Sequence, residues 1–161
     1  MEYLIVKWLH VISATLLFGT GIGSAFHLLL ASVAAQPQAV AVVSRQVVWA
    51  DWLFTATTAV LQPLSGFWML HLLGLPWRTP WVLWSLLLYA LAIACWIPVV
   101  VLQIRMHRLA EAAVRQGTPL AGAYGVCLRA WVLLGVPAFI AFVLVFWLMV
   151  AKPAWPLPFA L

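Results

Sequence analysis

The sequence predicts an all-α integral membrane protein, a four-helix up-down bundle that uses residues 1–161 as a single four-span transmembrane domain. Three observations predict it. The chain is 67% hydrophobic and only 7% charged, with a mean hydropathy of +1.13, whereas soluble domains carry about 25% charged residues. Its apolar residues form long runs without the two-residue alternation of barrel strands. Backbone groups in lipid must be satisfied internally, so such runs are helices. Four of them, joined by short links, make antiparallel neighbours.

The first span covers residues 3–33, longer than the roughly 20 residues a bilayer core requires, and ends before Gln36-Pro37-Gln38. Gly19 and Gly23 form a small-xxx-small pair on one of its faces, where another helix is expected to approach closely. The second span starts at Val40 or Trp49 and reaches Leu73, followed by the Gly-Leu-Pro-Trp-Arg-Thr-Pro turn at 74–80. The third runs from Trp81 to Arg105 and continues as helix to Arg115, where Gln116-Gly117-Thr118-Pro119 breaks it. The fourth runs from Gly125 to Val150 and ends at Lys152-Pro153. Pro63, Pro98 and Pro137 each fall inside a span, and a prolyl ring removes one helical hydrogen bond. Ala31–Ala35 has the small residues of a signal-peptidase site, but Met1-Glu2 lacks a basic leader and the apolar run is too long. The first span is therefore expected to stay uncleaved.

Charge sets the orientation. Arg45, Arg105, Arg108, Arg115 and Arg129 lie on the side of the first and third loops, against Lys7, Arg78 and Lys152 on the other. Basic residues accumulate on the cytoplasmic side, so both termini are expected outside and the first and third loops in the cytoplasm. The net charge of +5 is explained by these helix-end cations and implies no nucleic acid. The partner implied is the lipid bilayer, with a redox partner or a second copy as further expectations. Cys95 and Cys127 fall at different depths and make neither a disulfide nor a zinc site. Trp8, Trp49, Trp52, Trp77, Trp81, Trp147 and Trp155 sit toward span ends and read as an aromatic belt with no binding role.

Polar residues recur at helical spacing on two spans: Asp51, Thr55, Thr58, Gln62, Ser65 and Met69 on the second, Ser85, Tyr89, Trp96, Gln103 and His107 on the third. They are expected to face the bundle interior, where interhelical hydrogen bonds contribute about 0.6–2 kcal/mol each. Asp51 is placed about ten residues, or ~15 Å, from the middle of its span. A buried carboxylate there calls for a partner, with His27, Arg105 and Arg129 as candidates. Intramembrane ionisable groups also mark proton paths or cofactor contacts.

Toward the other surface lie His10, Met69, His71 and Met149. Imidazole and thioether ligands suit haem iron or copper(I). His10 is the candidate ligand of a b-type haem, His71 or Met69 the candidate second ligand, and Lys7 a candidate contact for a propionate. His71 falls off the Asp51–Met69 stripe and also reads as an interfacial residue. No catalytic residue is assigned. Three readings stand: a haem or redox protein, a copper or small-solute transporter, and a structural or assembly subunit whose polar groups only pack helices.

Four stretches carry a resemblance: Lys7–Phe26 (KWLHVISATLLFGTGIGSAF), Ala50–Thr55 (ADWLFT), Cys95–Met106 (CWIPVVVLQIRM), and Gly135–Phe139 (GVPAF) with Trp147–Pro153 (WLMVAKP). They resemble a bacterial family of predicted integral membrane proteins catalogued as a domain of unknown function. That resemblance implies a four-helix inner-membrane protein and no activity. More remotely, the K-x-L-H opening is similar to the copper-resistance protein D family and the J-type protoporphyrinogen oxidases. In the oxidases a first-helix histidine, matched here by His10, is linked to haem or porphyrin. They also rely on a lysine in the third helix, and the third span here has none.

Overall fold

The structure, a computed structural model, describes residues 1–153 and is all helix, with α1 at Glu2–Ala34, α2 at Pro37–Ala50, α3 at Ala56–Leu72, α4 at Pro80–Gln116 and α5 at Gly122–Ala151. Trp155 lies outside the described residues. Among the described residues three helices, α1, α4 and α5, are long and apolar enough to cross a membrane. Between α2 and α3 the chain keeps helical dihedrals but widens into one π turn, Asp51–Thr55, where the Ala56 N–H reaches back to the Asp51 carbonyl. Pro37 to Leu72 is thus one composite helix with a bulge inside it. The second helix therefore begins earlier than Val40 or Trp49. Asp51 moves from near an end to about 5 Å from the middle of the composite helix at 1.5 Å per residue.

Local chemistry sets the ends. Pro37 starts α2 and Pro80 starts α4, positions where a missing N–H costs nothing. Gly117 closes α4 at φ 62°, in the left-handed region that glycine enters freely. Pro63 cannot donate to the Ala59 carbonyl four residues earlier, and the Tyr89 hydroxyl on α4 donates to that carbonyl instead.

α1 packs along α2, the π turn and α3, whereas α5 packs most extensively on α4 and α4 also packs on α2. Ser32 and Tyr124 share a 2.6 Å hydroxyl hydrogen bond, and Ser44 meets His107 Nδ1 at 3.1 Å. These bonds place the 35–36 and 117–121 connections at one end of the molecule. The dense core lies toward that end, around Leu28, Val40, Val47, Met106, Ala110 and Cys127. At the opposite end Trp68 donates to Glu2 at 3.1 Å, and Lys152 Nζ lies 5.5 Å from the centre of the Trp81 ring.

α1 and α5 meet through aromatic side chains, not backbone: the Phe18 ring stacks on Phe139 at 5.7 Å and meets Phe146 edge-on at 5.1 Å. The expected Gly19–Gly23 interface does not form within the chain. A methyl group added at either glycine meets no atom within 4 Å, and both residues are exposed. α1 turns its serine face, Ser13 and Ser32, toward its neighbours because those hydroxyls need partners that lipid cannot supply.

Candidate functional site

The polar stripe of the second span is buried as its spacing implies: Asp51, Thr55, Thr58 and Gln62 are all inside. Thr58 donates to the Phe54 carbonyl, and Gln62 Nε2 donates to the His10 carbonyl at 3.0 Å. His10 is half-buried on α1, and its Nδ1 lies 2.8 Å from Ser65 Oγ. Gly66 beside it leaves room for the ring, since a Cβ there would stand 3.5 Å from His10 Cε1. An imidazole in an apolar span thus has its hydrogen-bond partner on α3.

The other residues of the expected cofactor site are less gathered. Met69 is half-buried on α3, His71 and Met149 are exposed, and Lys7 is exposed with its Nζ 6.0 Å from the Tyr3 ring centre. No group of three or more His, Cys, Asp or Glu side chains assembles among the described residues.

Asp51 corrects another expectation. It is 3% exposed, yet His27, Arg105 and Arg129 are all exposed, and the ion pairs among the described residues join Glu111 to His107 and Arg115. The arginines sit on outward faces of α4 and α5, where their heads reach water or headgroups, while Asp51 lies near mid-helix. Its partner is local: Thr55 Oγ1 donates to Asp51 Oδ1 at 3.0 Å across the π turn. Trp96 and Gln103 of α4 flank the carboxyl group, but Trp96 Nε1 makes no hydrogen bond of ordinary geometry.

Four buried side-chain atoms among the described residues make no hydrogen bond of ordinary geometry: Asp51 Oδ2, Trp96 Nε1, Gln103 Oε1 and Trp131 Nε1. An unpaired buried donor or acceptor costs about 1–3 kcal/mol, so natural proteins keep few of them. All four residues line the same cavity, of about 380 Å³. Apart from Ser24 and Thr55, whose hydroxyls are bonded locally, its remaining wall is apolar and aromatic and includes Phe18, Phe142, Ile22, Phe26, Val136 and Phe139. Those last four are exposed on the outer surface, so between α1 and α5 the cavity opens toward lipid. Gly21 and Gly135 leave its walls open, as a Cβ at either meets nothing within 4 Å. The size falls within the roughly 300–1,000 Å³ of small-molecule sites, which combine apolar walls with a few convergent polar groups. Single π turns inside α-helices occur often at functional sites, and here one carries both Asp51 and Thr55.

Sequence spacing picks out Asp51, Trp96 and Gln103 as inward-facing. Trp131 escapes it, because the fourth span carries no polar stripe to mark its inward face. Trp8, Trp77 and Trp147 are exposed near helix ends, whereas Trp49 and Trp52 are exposed close to the middle of the composite helix, which corrects their placement at a span end; Trp131 is 6% exposed and lines the cavity.

The sequence profile of one family, predicted integral membrane protein (DUF2269), matches residues 4–153. The chain belongs to that family. No curated protein and no solved structure matches it. Membership in DUF2269 agrees with the long apolar helices and assigns no chemistry, so the reading of the cavity rests on its own residues.

Proposed function

We propose that this DUF2269 protein binds a bilayer-borne amphiphilic small molecule in the cavity beside Asp51. The observation that carries the reading is the convergence of four unpartnered polar atoms on one apolar, lipid-facing cavity. A ligand drawn from the membrane supplies their hydrogen bonds while its tail lies against the phenylalanines. In this reading the composite Pro37–Leu72 helix is the fourth span of an up-down bundle. The same reading sets the basic 35–36 and 117–121 end in the cytoplasm and the termini in the periplasm of an inner-membrane protein, supported by the side on which the basic residues accumulate. Native mass spectrometry of protein extracted in mild detergent tests it. One lipophilic molecule per chain is expected, and Gly135→Phe, which fills open space, loses it while remaining folded. An equal ligand content in wild type and Gly135→Phe refutes the reading.

A second reading keeps His10 as a ligand of haem b, with copper as its alternative. It is favoured by the Ser65 contact at Nδ1, which orients the ring and leaves Nε2 for a metal. Its expected sign is a reducible Soret band lost in His10→Ala. The copper alternative expects retained copper that His10→Ala releases.

A further inference from the structure

We infer that the ligand's head carries both a hydrogen-bond donor and an acceptor, a hydroxyl with a carbonyl or ether oxygen, on an apolar tail. This rests on reading the Asp51 cavity as a binding site. The unpartnered atoms divide evenly: Asp51 Oδ2 and Gln103 Oε1 accept, and Trp96 Nε1 and Trp131 Nε1 donate. Thr55 already serves Asp51 Oδ1, so the second carboxyl oxygen is left for a ligand. An indole can only donate and a carboxylate only accept. A cationic amphiphile offers donors or bare charge and leaves both indole N–H groups unsatisfied. A head with acceptors alone leaves Asp51 and Gln103 unsatisfied.

The spacing adds a size. Trp96 and Gln103 stand two turns apart on one face of α4, about 10 Å along the axis, with Asp51 flanked by both. A head with oxygens on opposite edges, such as a quinol ring or a glycerol ester, meets this row of polar groups from the cavity side. Beyond it, Leu17, Phe18 and Phe142 are the tail's wall. From Leu29 to Leu17 on α1 the cavity runs about 18 Å, room for a chain lying along the helices.

Native mass spectrometry titrations of delipidated protein test the head chemistry with four probes. 1-Monomyristin and decyl-ubiquinol carry donor and acceptor. Methyl myristate carries acceptors only, and dodecylammonium donors only. At least one of the first two is expected to bind tenfold or more tighter than either of the others, and which one does so identifies the source as an acylglycerol or a quinol. Asp51→Leu is expected to abolish that preference without weakening methyl myristate, and Trp131→Phe to weaken both esters. Dodecylammonium or methyl myristate binding as tightly as the best of the first pair, with binding lost in Gly135→Phe, overturns the head assignment and leaves the cavity as a site. No probe distinguishing wild type from Gly135→Phe overturns the site itself.

Discussion

Replacing Gly66 by leucine should damage the bundle far more than the same change at Gly19 or Gly23. A Cβ at Gly66 stands 3.5 Å from His10 Cε1, which is ordinary contact, so Gly66→Ala is tolerated. Leucine adds three more heavy atoms at that position. The imidazole cannot swing away without giving up its 2.8 Å contact with Ser65. Overpacking costs about 1–3 kcal/mol and an interhelical hydrogen bond within the membrane about 0.6–1.7 kcal/mol, so Gly66→Leu should lose about 2–4 kcal/mol. A Cβ at Gly19 or Gly23 meets nothing within 4 Å, and a leucine at Gly23 has the groove beside Val43 and Val47 to enter, so both changes should alter stability by less than about 0.5 kcal/mol. Reversible unfolding in mixed micelles, followed by helix circular dichroism, measures all three. Equal losses at Gly66 and Gly19, or a silent Gly66→Leu, would refute the packing of α1 against α3.

Three further outcomes follow from the same geometry. Tyr89→Phe leaves the Ala59 carbonyl unpaired beneath Pro63 and should cost about 1–3 kcal/mol in the same unfolding assay. A double-mutant cycle between Asp51→Ala and Arg105→Ala or Arg129→Ala should show coupling below about 0.5 kcal/mol, because those arginines are exposed and unpaired with Asp51; coupling above 1 kcal/mol would restore the ion pair. Reporter fusions after Pro119 should be active in the cytoplasm and fusions at Leu161 in the periplasm; the reverse pattern would invert the orientation drawn from the basic residues.

Much of the fold is legible in the sequence because lipid leaves few choices. Apolar runs must be helices, and prolines and Gly117 mark their ends, so α1, α4 and α5 lie within a few residues of where the sequence places them. The polar stripes are legible too, since a buried hydroxyl or amide at helical spacing must find a partner inside. Three features are not. The π turn at Asp51–Thr55 has no proline or glycine to announce it, and it lies against α1 in the folded chain. The choice of α1 face is hidden because Gly19–Gly23 reads as an interface while Ser13 and Ser32 give no comparable signal, and the serines win through their hydrogen bonds. The role of Trp131 is hidden because composition cannot separate an indole at a headgroup from one over a cavity. Asp51 shows both sides of this. Its burial is legible, but its partner is not, since the arginines at its expected depth belong to outward faces.

The most direct test of the cavity reading is photo-crosslinking in bilayer nanodiscs with a monoacylglycerol or quinol that carries a diazirine in its tail. The account predicts labelled peptides from α1 between Leu17 and Leu29 and from α5 between Trp131 and Phe142, with labelling suppressed in Gly135→Phe. Labelling confined to the helix ends around Trp8, Trp77 and Trp147, or unchanged by Gly135→Phe, would contradict it.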